Sequence, residues 1–289
     1  MLGAVAGDII GSVWEGSACA DLPLPLIQPE CSFTDDTVCT VAIADALLHG
    51  KPVADTLRAW VRRYPNRGYG GSFHTWAHAE AAPAYQSYAN GGAMRVSPAA
   101  LLATSEEEVL LMAQQTAAVT HNHPDGMNGA QAIALAIWYA RQGMAPAEIR
   151  ERIQSTFAYS LKASVRERQL AYGFSVLAVE TVPDALVAAL EATSYEGAIR
   201  NAIAIGGDSD TVACMAGGIA EALFGMPQEL ATAAMGVLPF EMQEVLTKLY
   251  EAAGSPLPLV GTFQAPAVPS AQAASSSLLG RLGAWLRKS

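Results

Sequence analysis

Apolar residues dominate long stretches of the chain, with few polar positions between them. Segments such as TVCTVAIADALLHGKP, EEEVLLMAQQTAAV, GAQAIALAIWYARQG and TVACMAGGIAEALFGMP are rich in Ala and Leu, which favour helices. Several end at a Gly with Pro close behind, a common helix exit. Strand-like alternation is scarce, and apolar residues surround many predicted helices instead of forming one stripe. The pattern predicts a single all-α domain whose helices pack on several sides.

The first predicted helix, in MLGAVAGDIIGS, carries glycine at every fourth position: Gly3, Gly7 and Gly11. Residues at this spacing share one helix face, so that face presents bare backbone to whatever lies against it. Close packing against another helix is the simpler interpretation, and close approach of a ligand is the alternative.

The composition changes at Ser255, where SPLPLVGTFQAPAVPSAQAASSS is rich in Pro, Ala and Ser. Such a segment cannot bury enough apolar surface to hold a fold. We therefore predict a domain over residues 1–254 and a tail over residues 255–289. The tail ends in LLGRLGAWLRKS, a short basic amphipathic segment that could dock on the domain, on a regulatory partner or on an anionic membrane surface.

Composition and charge narrow the function classes. The 289 residues are 51% hydrophobic, which is enough to bury a large core without disulfide or metal cross-links. With 17 basic against 27 acidic residues, the net charge of -10 argues against nucleic acid as the main partner. The four cysteines show no CxxC pair and no zinc-finger spacing, which favours a reducing compartment. Because no basic leader or bilayer-length apolar run is present, we expect a cytoplasmic protein, and a monomer.

Two distant motifs share the order acid, acid, Thr, Val, helix. The first is FTDDTV near the N-terminus, and the second is GGDSDTV far downstream. One acid at a helix start is explained by capping of free N–H groups, but each motif has one acid more than a cap requires. The side chains concerned are Thr34, Asp35, Asp36, Asp208, Asp210 and Thr211.

The two motifs would form an oxygen-rich cluster if their helix starts converge. Four carboxylates in an apolar bundle would repel one another strongly, and divalent cations would neutralise them. Mg²⁺ prefers carboxylate, hydroxyl and water oxygens. The motifs therefore predict a metal site, with paired structural caps as the alternative.

Three further stretches carry candidate binding groups. NGGAMRVSP offers backbone N–H groups at Asn90, Gly91 and Gly92, with Ser97 predicted as a helix N-cap, so this turn could cradle a phosphate or be an ordinary loop. Glu15 in GSVWEGS could add a carboxylate. THNHPDG lacks the companions that a zinc site needs, so we expect its histidines to contact a ligand or form local hydrogen bonds.

Six motifs in this order, GAVAGDIIGSVWEG, FTDDT, GYGGSFHTW, NGGAMRVSP, THNHPDGMNGA and GGDSDT, resemble those of the ADP-ribosylglycohydrolases. This family includes the dinitrogenase-reductase-activating enzymes and the vertebrate ADP-ribosyl-acceptor hydrolases. The resemblance covers residues 1–254. It implies a compact all-α domain with a binuclear site for two Mg²⁺, or in some members Mn²⁺, at the floor of a cleft that binds ADP-ribose.

The resemblance also implies roles for individual residues. The six oxygen-bearing residues of the two acidic motifs would be metal ligands, with Asp210 as the bridge between ions. Catalytic roles would fall to Asp36, Glu15 and Asp210. The cleft would bind ADP-ribose through Asn90, Gly91, Gly92, Ala93, Ser97 and His121.

The expected reaction is hydrolysis of the glycosidic bond between ADP-ribose and its acceptor, which would be an ADP-ribosylated protein or a small conjugate. The resemblance to the dinitrogenase-reductase-activating branch favours ADP-ribosylated arginine. ADP-ribosylserine and O-acyl-ADP-ribose are the alternatives. A non-catalytic ADP-ribose-binding module and a metal phosphohydrolase remain as competing function classes.

Overall fold

A computed structural model describes residues 1–17, 25–171 and 173–259. Within these ranges all regular secondary structure is helical, apart from one antiparallel bridge between Ala89 and Leu177, which confirms the predicted all-α class. The helices are α1 (Leu2–Gly11), α2 (Asp35–His49), α3 (Val53–Arg63), α4 (Gly71–His78), α5 (Gly91–Met94), α6 (Ser97–Leu102), α7 (Glu106–Ala118), α8 (Pro124–Arg141), α9 (Pro146–Phe157), α10 (Val165–Leu170), α11 (Ala178–Leu190), α12 (Tyr195–Ile205), α13 (Ser209–Phe224), α14 (Gln228–Val237) and α15 (Phe240–Ala252).

The four Ala- and Leu-rich segments singled out in the sequence are α2, α7, α8 and α13. The predicted glycine exit is clear in α2, where Gly50 caps the C-terminus in the left-handed conformation at φ 62°. Helix α13 lies at the centre, in contact with α1, α8, α11 and α12. Its first twelve residues, Ser209–Ala220, are all buried, which explains why no single apolar stripe marks this helix in the sequence.

The glycine face of α1 lies directly against α13. A β-carbon at Gly7 would lie 2.0 Å from the carbonyl oxygen of Ala213, and one at Gly11 would lie 2.4 Å from the Cα atom of Asp210. Gly217 completes the contact from the other side, since a β-carbon there would lie 2.2 Å from the carbonyl oxygen of Gly3. The helix-packing interpretation of these glycines is thus correct.

The last helix ends at Ala252, and the described chain continues to Leu259 without further helix. Most of the predicted tail, residues 260–289 with the amphipathic segment, lies outside the described residues. Within the described ranges, each helix is too short or too polar to cross a lipid bilayer.

Substitution Gly7→Ala should destabilise the protein by about 3 kcal/mol or more, because the added methyl group overpacks a backbone contact that no side chain can relieve. Gly236→Ala in α14 is the matched control, since a β-carbon there meets no atom within 4 Å. We expect the control to be neutral or stabilising by about 1 kcal/mol. Urea denaturation measures both, and equal midpoints for the two variants would contradict the packing argument.

Candidate active site

The FTDDT motif forms the start of α2. Thr34 is the N-cap residue, and its hydroxyl accepts a hydrogen bond from the backbone N–H of Asp36. The motif is fixed from outside by Asp8 of α1, which accepts from the backbone N–H of Thr34 at 3.0 Å and from its hydroxyl at 2.6 Å. Asp8 also accepts from the N–H of Thr37 at 3.1 Å and from the Thr37 hydroxyl. One buried carboxylate therefore ties α1 to the first turn of α2.

The GGDSDT motif forms the start of α13 and meets the first motif directly. The Thr211 hydroxyl donates to Asp36 Oδ2 at 3.2 Å, although the two residues are 175 positions apart. Carboxylate oxygens of Asp8, Asp36 and Asp210 lie within 4.8 Å of one another, and so do those of Glu15, Asp208 and Asp210. The two acidic helix starts thus converge, as the metal hypothesis requires.

Asp8 also belongs to the site, although it was not among the candidate residues predicted from the sequence. It is fully buried, in contact with both threonines of the first motif, and one of its oxygens lies in the carboxylate cluster. The signal was available, because Asp8 is the single charge inside the apolar, glycine-faced first helix. A charge is rarely placed in such a position without partners.

Burial raises the pKa of the carboxylates in the cluster, and repulsion from neighbouring carboxylates raises it further in Asp35, Asp36, Asp210 and Glu15. Burial together with Asp8 raises the pKa of Asp35 to about 8 and holds the pKa of Asp36 well above its usual range. Burial together with Asp208 raises the pKa of Asp210 to about 9. The pKa of Glu15 is also raised, by burial and by Asp208. The fully ionised form of the cluster is therefore unfavourable in the folded protein.

The cluster has the properties that a divalent cation needs. Its donors are carboxylate and hydroxyl oxygens, the ligands that hard cations prefer. Asp36 Oδ1 is buried and has no hydrogen-bond partner among the described residues, so that a lone-pair site is open toward the other carboxylates. Together with the crowding of charge, this buried acceptor makes the cluster a good match for cation binding.

A cavity of about 500 Å³ opens above the cluster. All six side chains of the two acidic motifs line it, as do Glu15, Asn90, Gly91 and His121. Gly92, Ala93 and Ser97, which were also expected at the substrate, are buried and do not belong to the cavity wall. The wall also includes Arg67, Phe73, Tyr85 and Arg95.

The loop around Asn90 differs from the sequence interpretation in two respects. The backbone N–H of Asn90 donates to the Val176 carbonyl at 2.9 Å, so it is not free to bind a phosphate. The Asn90 side chain instead donates to Asp208 Oδ2 at 2.6 Å. Ser97 is the first residue of α6 and not its N-cap, which is Val96. The Ser97 hydroxyl is buried and makes no hydrogen bond among the described residues, so it does not cap the helix.

His121 is held in one tautomer by a chain of hydrogen bonds. Arg95 Nη2 donates to the Thr120 hydroxyl at 2.8 Å, and this hydroxyl lies 2.8 Å from His121 Nδ1. The Thr120 proton has no other acceptor among the described residues, so Nδ1 accepts it and the ring proton resides on Nε2. Burial and the Arg95 charge lower the His121 pKa well below its usual range. The ring is therefore neutral, with Nε2–H toward Gly91 and the cavity.

The other histidine of this motif has a local role. His123 is the N-cap of α8, and its Nδ1 accepts from the backbone N–H of Asp125 at 3.2 Å. Among the described residues, neither His121 nor His123 belongs to a group that could hold a metal ion. The hydrogen bond of His123 is the local role that was expected for a histidine of this motif.

Comparison with known proteins gives consistent results. A family profile described as ADP-ribosylglycohydrolase matches residues 1–256. The ADP-ribosylhydrolase ARH3 of Homo sapiens is 28% identical over 79% of this chain and 85% of its own, and that of Bos taurus is 27% identical over 79% and 84%. A solved structure titled ADP-ribosylglycohydrolase-related protein complex superposes with a TM-score of 0.65 over 87% of this chain and 97% of its own, at 22% identity, which supports the fold.

The fold and the site together define an all-α hydrolase with a buried carboxylate cluster at the floor of its cleft. The family match extends over most of the chain. The chain belongs to the ADP-ribosylglycohydrolase family, whose members act on ADP-ribosylated substrates.

The raised pKa values predict how pH and cations affect stability. The folded pKa values of Asp35 and Asp210, about 8 and about 9, lie above the ordinary value of 3.8, so the folded protein binds more protons than the unfolded chain between these limits. Stability without metal should therefore fall as pH rises toward about 9, and added Mg²⁺ should restore it, most strongly at high pH.

Differential scanning calorimetry with chelator and with Mg²⁺ measures this effect. Asp36→Asn removes one charge of the cluster, so it should raise the unfolding temperature at high pH in chelator and reduce the response to Mg²⁺. If Mg²⁺ did not change the unfolding temperature of the wild-type protein at any pH, the cation site would be refuted.

Thr120→Val should release His121 from its single tautomer, because Nδ1 loses its donor and Arg95 loses an acceptor. Imidazole ¹⁵N shifts should show a neutral Nε2–H ring in the wild type and a mixture in the variant. Thr116→Val is the matched control: Thr116 is equally buried, but its hydroxyl donates to Met112 and Ala113 carbonyls of its own helix. An Nδ1–H ring in the wild type would show that the hydrogen-bond directions are reversed.

Proposed function

We propose that this protein hydrolyses the glycosidic bond between ADP-ribose and an O-linked acceptor, in a reaction that depends on Mg²⁺ or Mn²⁺. The observation that carries the proposal is the buried cluster formed by the starts of α2 and α13 at the floor of a cavity of about 500 Å³. A cavity of this size suits a small-molecule ligand. Membership of the ADP-ribosylglycohydrolase family identifies the ligand class.

The two acidic motifs would hold the cations. The ligands in this proposal would be Thr34, Asp35, Asp36, Asp208, Asp210 and Thr211, whose side chains all line the cavity. When bound, the cations would supply Lewis acidity that orients the distal ribose and polarises a water. Asp8 holds Thr34 from behind and so fixes the orientation of the first motif.

Glu15 is better placed than Asp36 to move the proton. Its carboxylate lines the cavity, lies within 4.8 Å of oxygens of Asp208 and Asp210, and belongs to an exposed residue that can exchange protons with solvent. Its raised pKa lets it retain a proton more readily than a free glutamate. Asp36 is buried and hydrogen-bonded to Thr211, which suits a ligand.

The remaining wall would bind and orient ADP-ribose. The His121 Nε2–H is a fixed neutral donor toward the cavity, so it can hold an oxygen of the ligand without changing charge as pH varies. The negative cluster would stabilise the oxocarbenium character that develops at the anomeric carbon. Asn90 contributes by positioning Asp208.

One observation favours an O-linked acceptor over arginine. The arginine expectation came from the resemblance to the dinitrogenase-reductase-activating branch, whereas the vertebrate relatives reported above are named ADP-ribosylhydrolase ARH3. ADP-ribosylserine and O-acyl-ADP-ribose are therefore the proposed substrates, and ADP-ribosylarginine is the alternative.

The test is release of free ADP-ribose from matched serine-linked, O-acyl and arginine-linked substrates, with Mg²⁺ and with chelator. We expect Mg²⁺-dependent release from an O-linked substrate, and a loss of about a hundredfold or more in Asp210→Asn. Glu196→Gln, which changes an exposed acid of α12 away from the cavity, is the control and should retain full turnover.

Each outcome has a distinct meaning. Release from the arginine linkage alone would restore the original expectation for the acceptor. Phosphate release without ADP-ribose release would indicate a phosphohydrolase instead. Normal turnover in a folded Asp210→Asn protein would rule out the proposed role of the cluster.

A further inference from the structure

A second cavity of about 730 Å³ lies beside the first, and Asp208 lines both. It is enclosed by the region between α9 and α11 and by the loop before α13, including Gly206. Asp208 is part of the carboxylate cluster, so the second cavity begins where the proposed reaction takes place. Neither acidic motif predicted a second space on this side of the cluster.

A short extended segment, residues 173–177, separates the two cavities. It is fixed to the loop before α5, because Asn90 donates to the Val176 carbonyl at 2.9 Å and Ala178 donates to the Tyr88 carbonyl at 3.1 Å. Val176 and Leu177 line the first cavity, whereas Phe174 lines the second. The two cavities thus lie on opposite sides of one ridge, formed by residues 173–177.

The second cavity has an apolar and acidic character. Phe174 is 55% exposed and Val179 is 43% exposed, both on its wall, and Leu170 nearby is 75% exposed. Its acidic wall residues are Asp125, Glu167, Glu180, Asp184 and Asp208. Arg168 is the basic residue on the described wall, and its charge is offset by an ion pair with Asp184.

We propose that the second cavity binds the acceptor, and that this acceptor is a polypeptide with basic and apolar side chains next to the ADP-ribosylated residue. The inference rests on the proposed function. If ADP-ribose occupies the cavity that contains Asn90 and His121, the group on the other side of the glycosidic bond must leave the cluster in another direction. The second cavity, which shares Asp208 with the first, provides that direction.

The size and chemistry of this space select a polypeptide over a small acceptor. A small acyl group would leave most of a cavity of about 730 Å³ unfilled and would not cover the exposed Phe174 and Val179. Apolar side chains of a peptide would cover them, and its cations would face the carboxylates of Asp125 and Glu180.

Two variants on this wall test the inference without touching the cluster, Phe174→Ser and Glu180→Gln. Each has a matched control elsewhere on the surface, Phe240→Ser for the exposed aromatic and Glu196→Gln for the first-turn acid, and neither control residue lines either of these two cavities. The substrates are a peptide with ADP-ribosylserine between lysine and leucine residues, the same peptide with glutamates for lysines, and a small O-acyl conjugate of ADP-ribose.

We expect kcat/KM for the lysine peptide to fall at least about fivefold in each cavity variant, mainly through KM, with the small conjugate and both controls unchanged. Wild type should prefer the lysine peptide to the glutamate peptide, and Glu180→Gln should reduce this preference. Equal effects on peptide and small conjugate, or no effect on either, would overturn the inference while leaving the proposed function intact. Absence of turnover on every substrate in wild type would instead defeat the proposed function.

The chain's own C-terminal segment is the competing occupant. If residues 260–289 filled the second cavity, truncation after Leu259 would raise kcat/KM for the peptide in wild type but not in the cavity variants. That result would overturn the acceptor assignment.

Discussion

The close contact between α1 and α13 is the constraint on which the site depends. Glycines at every fourth position let the two backbones approach to distances that no side chain would permit. This approach places Asp8 beside the start of α2 and presses Gly11 against Asp210 at the start of α13. The packing of one helix pair therefore sets the positions of both acidic motifs, and the geometry of the cluster follows from backbone contact rather than from flexible side chains.

The same contact creates an electrostatic problem that explains the chemistry of the cluster. Burying several carboxylates together is unfavourable, and the raised pKa values of Asp35 and Asp210 express this in the folded protein. Hydrogen bonds from both threonines relieve Asp8, but Asp36 Oδ1 has no such partner among the described residues. This unfavourable concentration of carboxylates lies where a bound cation would relieve it, so cation binding would stabilise the folded protein.

The sequence predicted the fold class and the convergent motifs because both depend on local signals. Helix propensity marked α2, α7, α8 and α13, and the surplus acids marked the two helix starts. Asp8 was missed because its partners, Thr34 and Thr37, lie in another helix. The same holds for Arg95 and Thr120, which act on His121 only through tertiary contacts. Ser97 was misread because serine and proline resemble a helix start even when the helix begins one residue earlier.

The two sides of the cluster are built from different kinds of sequence. On the side of the first cavity, a tight glycine turn leaves room for the His121 ring, since a β-carbon at Gly91 would lie 2.9 Å from it. The other side combines Asp125 and Asp208, which belong to two of the six motifs, with Phe174 of the 173–177 ridge and Val179 of α11, which belong to none of them. If the acceptor lies in the second cavity, substitutions of Phe174 or Val179 would change which acceptor is bound, while the ridge keeps its backbone hydrogen bonds to Asn90 and Tyr88. Acceptor choice would then be separable from the chemistry, and the six motifs would identify the reaction more readily than its target.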